Sequence, residues 1–307
     1  MTKIFIDGSA GTTGLRIYER LEKRNDIEIL TLSEELRKNT EARAEALNSC
    51  DIAFFCLPDQ AAIEAVGLLK NEKTAIIDTS TAHRTADGWT YGFPELTGQR
   101  EKIKDSKRIA NPGCHASGFI SLVAPLTENG IISKDAKLTA FSLTGYSGGG
   151  KKMIADYESD SRSKLLEAPR QYGLTQMHKH LPEMVKLCGL ENEPVFCPIV
   201  DSYYSGMEVT VPLFKSDLNG NVEDIKEIFK NYYKNGLVEF VDNADEKGFI
   251  SACELSGKDS MEISVFGNDD RILLVSRFDN LGKGASGAAI QNMNILLGIN
   301  EKTGLDI

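Results

Sequence analysis

Ile4-Phe5-Ile6-Asp7-Gly8-Ser9-Ala10-Gly11-Thr12-Thr13-Gly14 is a short apolar run that breaks into glycines at 8, 11 and 14 and then into helical periodicity from about Thr13 to Lys23. Outward from it the same rhythm repeats. Apolar runs at Ile27 to Leu30, Ile52 to Leu57 and Ala75 to Ile77 alternate with helical patterns over Glu34 to Leu47 and Gln60 to Leu69. Strands separated by helix-length segments predict a parallel sheet covered by helices on both faces, an α/β arrangement of the Rossmann type. At the first strand-to-helix turn, glycine lets the backbone bend tightly and come close to a pyrophosphate. The helix start adds outward N–H groups and a partial positive charge. Gly8, Gly11, Thr12, Thr13 and Gly14 are therefore candidate dinucleotide contacts, although a GxxGxxG turn also serves as a plain connection when nothing binds there.

An acidic residue closing the second strand would hold the ribose 2′-hydroxyl of NAD. Glu28 has about that spacing but lies inside the strand, whereas Ser33, Arg37 and Lys38 follow it. Hydroxyl and cationic groups suit a 2′-phosphate, which points to NADP.

Beyond about residue 135 the pattern changes to longer alternating strands, at Lys137 to Thr144, Glu208 to Phe214 and Arg271 to Arg277. They predict an α+β domain with a mixed or antiparallel sheet. The division expected is 1–113 for the nucleotide-binding domain and 114–281 for a catalytic and oligomerisation domain. A C-terminal helical segment at about 282–307 returns to complete the first.

Composition narrows the function classes. A chain of 307 residues with 41% hydrophobic content can bury two cores. A net charge of −10 with both signs dispersed lacks the clustered basic face of a nucleic-acid binder. An apolar strand beginning at Ile4 leaves no space for a secretory leader, and no run of about 18 apolar residues marks a membrane span. Six cysteines without a CxxC pair suit a reducing compartment. A soluble cytoplasmic enzyme acting on a small molecule is expected, with no nucleic-acid or membrane partner.

Asn111-Pro112-Gly113-Cys114-His115 follows a short strand at Arg108 to Ala110 and precedes an apolar helical run. Pro112 and Gly113 force a turn that sets Cys114 at a helix start, where the dipole favours thiolate, the nucleophilic form. No other cysteine has this setting. His115 is its neighbour in sequence, but adjacent residues on a helix point in different directions. Gln176-Met-His-Lys-His-Leu-Pro-Glu-Met184 supplies two further histidines. If the segment is extended, His178 and His180 share a side, and either can relay a proton. A zinc site built from them with Cys188 and Cys197 has irregular spacing, so no metal is expected.

Together, Gly8 to Gly14, Asn111-Pro-Gly-Cys114, His178-Lys-His-Leu-Pro-Glu183 and Asp279-Asn-Leu-Gly-Lys-Gly-Ala-Ser-Gly-Ala288 resemble the short-form N-acetyl-gamma-glutamyl-phosphate reductases, which belong to the semialdehyde dehydrogenase superfamily. Tyr91-Gly-Phe-Pro-Glu-Leu96 and Asp78-Thr-Ser-Thr-Ala-His-Arg84 are similar to further segments of that family. The resemblance implies NADPH-dependent reduction of N-acetyl-L-glutamyl 5-phosphate to the 5-semialdehyde in arginine biosynthesis. It implies Cys114 as nucleophile, His178 or His180 as base, and a homodimer or tetramer. Ser80, Gly282 and Gly284 join the expected cofactor contacts on the same ground. His115 stands where related sequences often carry tyrosine. For the phosphate and carboxylates of the substrate, Arg84, Ser147, Lys151 and Lys152 lie in polar turns, and Asn111 is a candidate oxyanion donor. The competing readings are an aspartate-semialdehyde dehydrogenase, a cofactor-free cysteine acyltransferase or hydrolase, and a non-catalytic NADP-binding protein.

Overall fold

Two sheets carry the chain in the computed structural model, which describes residues 1–234 and 236–307. Contacts divide it into two units, Met1–Pro112 with Ala285–Leu305, and Gly113–Gly284 with the last two residues.

The first unit runs β1 (Thr2–Asp7), α1 (Thr12–Leu21), β2 (Ile27–Leu30), α2 (Thr40–Ser49), β3 (Ile52–Phe55), α3 (Asp59–Gly67), β4 (Ala75–Asp78), β5 (Thr90–Tyr91), α4 (Gln99–Asp105) and β6 (Arg108–Ala110). Its six strands are all parallel, in the order β2-β1-β3-β4-β6-β5. Side chains of a strand alternate between faces, and the core follows that period. Ile4 and Ile6 join Ile17 and Leu21 of α1 and Ile103 of α4 on one face, with Ala289, Ile290 and Met293 from the C-terminal segment. Phe5 points the other way, to Ala46 and Leu47 of α2 and Ala62 and Ala65 of α3. Each such Ile, Leu or Phe withdrawn from water contributes about 1.5–3 kcal/mol. Strand order reverses between β1 and β3, the switch point beyond whose carboxyl ends open α/β sheets receive ligands.

The helix expected over Glu34 to Leu47 begins only at Thr40. Ser33 to Asn39 instead make turns, in which the Ser33 carbonyl accepts the N–H groups of Leu36 and Arg37. Asn39 caps the helix by accepting the Ala42 N–H at 2.9 Å. A side chain that satisfies an otherwise unpaired helical N–H outweighs apolar periodicity upstream of it.

The second unit runs α5 (Cys114–Glu128), β7 (Thr139–Gly145), α6 (Gly150–Glu158), β8 (Arg170–Gln171), α7 (Leu181–Cys188), β9 (Val195–Asp201), β10 (Met207–Phe214), α8 (Val222–Tyr232), β11 (Val238–Phe240), β12 (Met261–Gly267) and β13 (Arg271–Phe278). Its seven strands form a mixed sheet, β11-β12-β13-β10-β7-β9-β8. Helix α5 packs on β10 and β13 and is buried from His115 to Leu126. After β13 a π-turn at Gly282–Ser286 leads into α9 (Gly287–Leu296). Among the described residues no helix is long and apolar enough to cross a membrane.

Candidate active site

Glycine is required at two turns of the first unit's nucleotide-type loop. Gly8 has φ +90°, and a Cβ there would lie 2.3 Å from the Cys56 carbonyl oxygen at the end of β3. A Cβ on Gly14 would lie 2.4 Å from the Gly8 carbonyl oxygen, so α1 can begin this close to β1 only without a side chain. Gly11 caps α1, and its N–H closes the turn on the Gly8 carbonyl at 2.9 Å. As at any helix start, the first-turn N–H groups, here of Thr12, Thr13 and Gly14, lie beyond the helical bonding pattern.

Beside this loop is a pocket of about 370 Å³ whose lining includes Gly8, Ser9, Thr31, Arg37, Lys38 and Arg43. Gly8 and Arg37 thus come together as expected, while Ser33 is not in the lining. Arg37 ion-pairs with Glu34. Arg43, which sequence reading missed, forks onto the buried Asp7 carboxylate, with its Nη2 at 2.8 Å from Oδ2. The pair neutralises the one carboxylate at the end of β1, and β2 is followed by Thr31-Leu32-Ser33 with no acid.

At the end of β4, Ser80 sends both its N–H and its hydroxyl to the buried Asp78 carboxylate, at 3.0 and 2.7 Å. His83 Nδ1 meets the same carboxylate at 2.6 Å and its ring stacks on Trp89. This folded turn holds Arg84, whose Nε donates to the Asn111 carbonyl at 2.9 Å and whose Nη2 donates to the Thr79 carbonyl at 3.2 Å. The Asn111 amide is occupied within the first unit. It donates to the Ala285 carbonyl at 3.0 Å, and its oxygen receives Asn292 at 3.4 Å. Asn111 therefore fastens the returning C-terminal segment with one of its two amide N–H groups.

In the second unit Cys114 is the first residue of α5, after the extended Gly113 cap. Gly284 packs on it so closely that a Cβ there would lie 2.9 Å from the Cys114 Cβ. The π-turn carrying Gly284 is held by the buried Asp279 carboxylate, which accepts the N–H groups of Leu281 and Gly282 at 2.6 and 2.9 Å and the Ser205 hydroxyl at 2.8 Å. Asn280 adds a bond from its amide to the buried Ser147 hydroxyl at 3.0 Å. Lys151 is exposed on the first turn of α6, and Lys152 lines a different pocket with Arg162 and Arg170.

The segment carrying the two histidines is a series of turns rather than extended, with bonds from the Gln176 N–H to the Gly173 carbonyl and from the Leu181 N–H to the His178 carbonyl. Both rings nevertheless converge. Their centroids are 4.8 Å apart, and each lies within 5.6 Å of the His115 ring. His178 Nδ1 accepts the His180 N–H at 3.2 Å, which puts the proton of a neutral His178 on Nε2. His180 Nε2 lies 3.9 Å from Glu183 Oε1. The other oxygen of Glu183, a side chain only 1% exposed, accepts the Gly113 N–H at 3.1 Å. One carboxylate thus joins the turn that places Cys114 to the ring of His180. Glu183 had a signal in the sequence, its i, i+3 spacing from His180 at the start of a helix.

His115 is not a surface base. Burial, reinforced by His178 and Lys179, pushes its imidazole down to about 3, so the ring is neutral. It bridges the hydroxyls of Ser142 and Tyr172, at 2.6 and 2.7 Å. Nothing in the sequence pairs these three residues, which come from a helix, a strand and a turn.

Family models match both units in turn, the semialdehyde dehydrogenase NAD binding domain over residues 3–106 and the semialdehyde dehydrogenase dimerisation domain over residues 114–280. The chain is 44% identical to N-acetyl-gamma-glutamyl-phosphate reductase 2 of Nostoc sp., over 99% of both chains. It is 46% identical to the N-acetyl-gamma-glutamyl-phosphate reductase of Sinorhizobium medicae, over 96% of this chain and 98% of that one. Among solved structures, aspartate semialdehyde dehydrogenase II of Vibrio cholerae, complexed with ASA, superposes with a TM-score of 0.71 at 15% identity, covering 97% of this chain and 98% of that one. The Candida albicans aspartate semialdehyde dehydrogenase with NADP gives 0.68 at 15% identity, over 97% and 98% of the two chains. At such identity these two show the fold alone. The chain is an oxidoreductase that uses a nicotinamide cofactor, and it belongs to the N-acetyl-gamma-glutamyl-phosphate reductase family.

Proposed function

We propose that this chain reduces N-acetyl-L-glutamyl 5-phosphate to N-acetyl-L-glutamate 5-semialdehyde with NADPH, through a thioester on Cys114. The observation that carries this reading is the Glu183 carboxylate, bonded to the Gly113 N–H and facing His180. A cysteine at a helix start, a histidine, and a buried anion able to stabilise that histidine once protonated are the parts an acyl-transfer nucleophile needs.

His180 takes the proton of the Cys114 thiol, and the N-terminus of α5 favours the negative charge left on sulfur. The thiolate adds to the acyl carbon. His178, with its proton on Nε2, is a donor for the oxygen that becomes negative. Collapse expels phosphate, which takes the proton held on His180. Arg84, pinned by two backbone carbonyls, is the cation we assign to that phosphate, with Ser147 and Lys151 as further substrate contacts. NADPH, when held by the Gly8 turn with Arg37 and Lys38, would supply the hydride that reduces the Cys114 thioester. Expulsion of the Cys114 thiolate then frees the aldehyde, and the one proton that the overall reduction consumes, taken up from solvent, returns the sulfur to the thiol.

Three features favour NADP over NAD: Arg37 and Lys38 line the pocket beside Gly8, no acid closes β2, and Asp7 is already paired with Arg43. The cytoplasmic location and a homo-oligomer of two or four chains are parts of the same reading, supported by the biosynthetic relatives and the dimerisation-domain match.

The reverse reaction tests the assignment. Purified protein with N-acetylglutamate semialdehyde, phosphate and NADP should form NADPH, detected by absorbance, and Cys114→Ala should not. A signal with aspartate semialdehyde in place of the acetylated aldehyde would transfer the assignment to an aspartate-semialdehyde dehydrogenase.

A further inference from the structure

His115 is a buried neutral imidazole that the steps above leave unused, and its two hydrogen bonds can run in only two directions. In one, Tyr172 donates to Nε2 and Nδ1–H donates to Ser142. In the other, Ser142 donates to Nδ1 and Nε2–H donates to the Tyr172 oxygen. Burial decides between them. Ser142 is 0% exposed, and His115 is the one hydrogen-bond partner of its hydroxyl among the described residues. In the first direction the Ser142 proton is left in the core without an acceptor, a loss that outweighs an ordinary hydrogen bond. In the second it is used, and the proton without an internal partner is that of Tyr172, whose half-buried position lets it find one.

Tyr172 lies among the candidate catalytic side chains. Its backbone N–H is fixed on the Pro198 carbonyl at 3.0 Å and its ring lies against His115 and His178. Its hydroxyl meets His115 at 2.7 Å, and His115 is the next residue after Cys114 on the first turn of α5; burial first and the charge of Cys114 second raise the pKa of the phenol. His178, His180 and Lys179 flank this cluster, with Glu183 behind His180. We propose that His115, in its Nε2–H tautomer, is a positioning residue that turns the phenol proton of Tyr172 toward the sulfur of Cys114, whose negative charge that proton stabilises. Tyr172 is then a second support for the thiolate, added to the start of α5 and to His180.

The inference rests on Cys114 being the nucleophile, and its tests separate the two ideas because the tautomer spectrum and the labelling need no substrate. Long-range ¹H–¹⁵N correlation spectra of the ¹⁵N-histidine protein, with the His115 ring assigned by its loss in His115→Gln, should show protonated Nε2 and unprotonated Nδ1. The opposite tautomer in the intact protein would overturn the proposal whatever the variants do. Iodoacetamide labelling of Cys114, followed by mass spectrometry across pH, should have its midpoint about one pH unit higher in Tyr172→Phe than in wild type, the tenfold change expected of a hydrogen bond to an ionised group. In the forward reaction the same variant should lose kcat and keep its KM for the acyl phosphate. If Cys114 in the wild type resists labelling throughout, the nucleophile assignment itself fails. If it labels and Tyr172→Phe leaves the midpoint in place, only the role given to Tyr172 and His115 is lost.

Discussion

At the scale of single residues, what decides a role here is whether a polar group has been taken out of water together with its partners. His115 gains stability from staying neutral. Its folded value of about 3 lies below the ordinary value of 6.5, so the unfolded chain binds a proton that the folded one refuses. The stability this provides is complete above pH 6.5 and is lost as pH falls from there toward 3, at up to about 1.4 kcal/mol per pH unit. Urea unfolding of wild type and His115→Gln at pH 7.5 and 5.5 should show the wild type losing more on acidification; equal losses would mean that another group governs the acid side. Arg37 and Lys38 follow a different logic, since both line the nucleotide-side pocket, where a 2′-phosphate would add a partner to the Glu34 that Arg37 already has. Replacing both by alanine should raise the KM for NADPH about tenfold while leaving that for NADH unchanged, as expected for contacts to the 2′-phosphate alone. An equal rise for both cofactors would place the pair elsewhere on the nucleotide.

Helix α5 shows the same requirement acting on a whole element. Pro125 lies inside it and cannot donate to the Ser121 carbonyl one turn earlier. The Tyr233 hydroxyl takes the place of that missing donor, at 2.6 Å. Tyr233→Phe keeps the ring and leaves a buried carbonyl without its donor, so it should cost about 1–3 kcal/mol in denaturant unfolding with little change in KM. At the opposite end of α5, Gly284→Ala should lower kcat sharply with a smaller loss of stability, because the added methyl would press on the Cys114 Cβ. These elements also show where sequence reading succeeds. Gly8, Gly14 and Cys114 were legible because each depends on neighbours within a few residues: a strand end, a turn and a helix start. Helix α2 was misplaced because periodicity extends through Glu34 to Leu47 without revealing that Asn39 supplies the cap. The bond from Gly113 to Glu183 and the Ser142–His115–Tyr172 chain escaped because they depend on separations of 27 to 70 residues, which a local pattern does not record. The fastening role of Asn111 was invisible for a related reason, since its partner Ala285 lies 174 residues away.

For the molecule as a whole, the important fact is that the first unit is discontinuous. One face of its parallel sheet is covered partly by α9, and Ala289, Ile290 and Met293 belong to the same core as Ile4, Phe54 and Ile77. Residues 1–112 alone would expose that face, and losing several fully buried aliphatic side chains from a small domain exceeds the usual margin of stability. The fastening at Asn111 suggests how the unit can be made continuous. Its amide meets the Ala285 carbonyl at 3.0 Å, so the two cut ends lie within reach of a linker of a few glycine and serine residues. Asn292 strengthens the join with its bond to the Gly92 carbonyl at 2.9 Å. A protein made of residues 1–112, a short linker and residues 285–305 should therefore melt cooperatively by circular dichroism, and NADPH should raise its Tm, whereas residues 1–112 alone should do neither. If the linked form folds and ignores the nucleotide, the pocket beside Gly8 is insufficient for binding and groups beyond the first unit must be required. If residues 1–112 fold and bind without their last helix, α9 is an accessory to the sheet rather than part of its core.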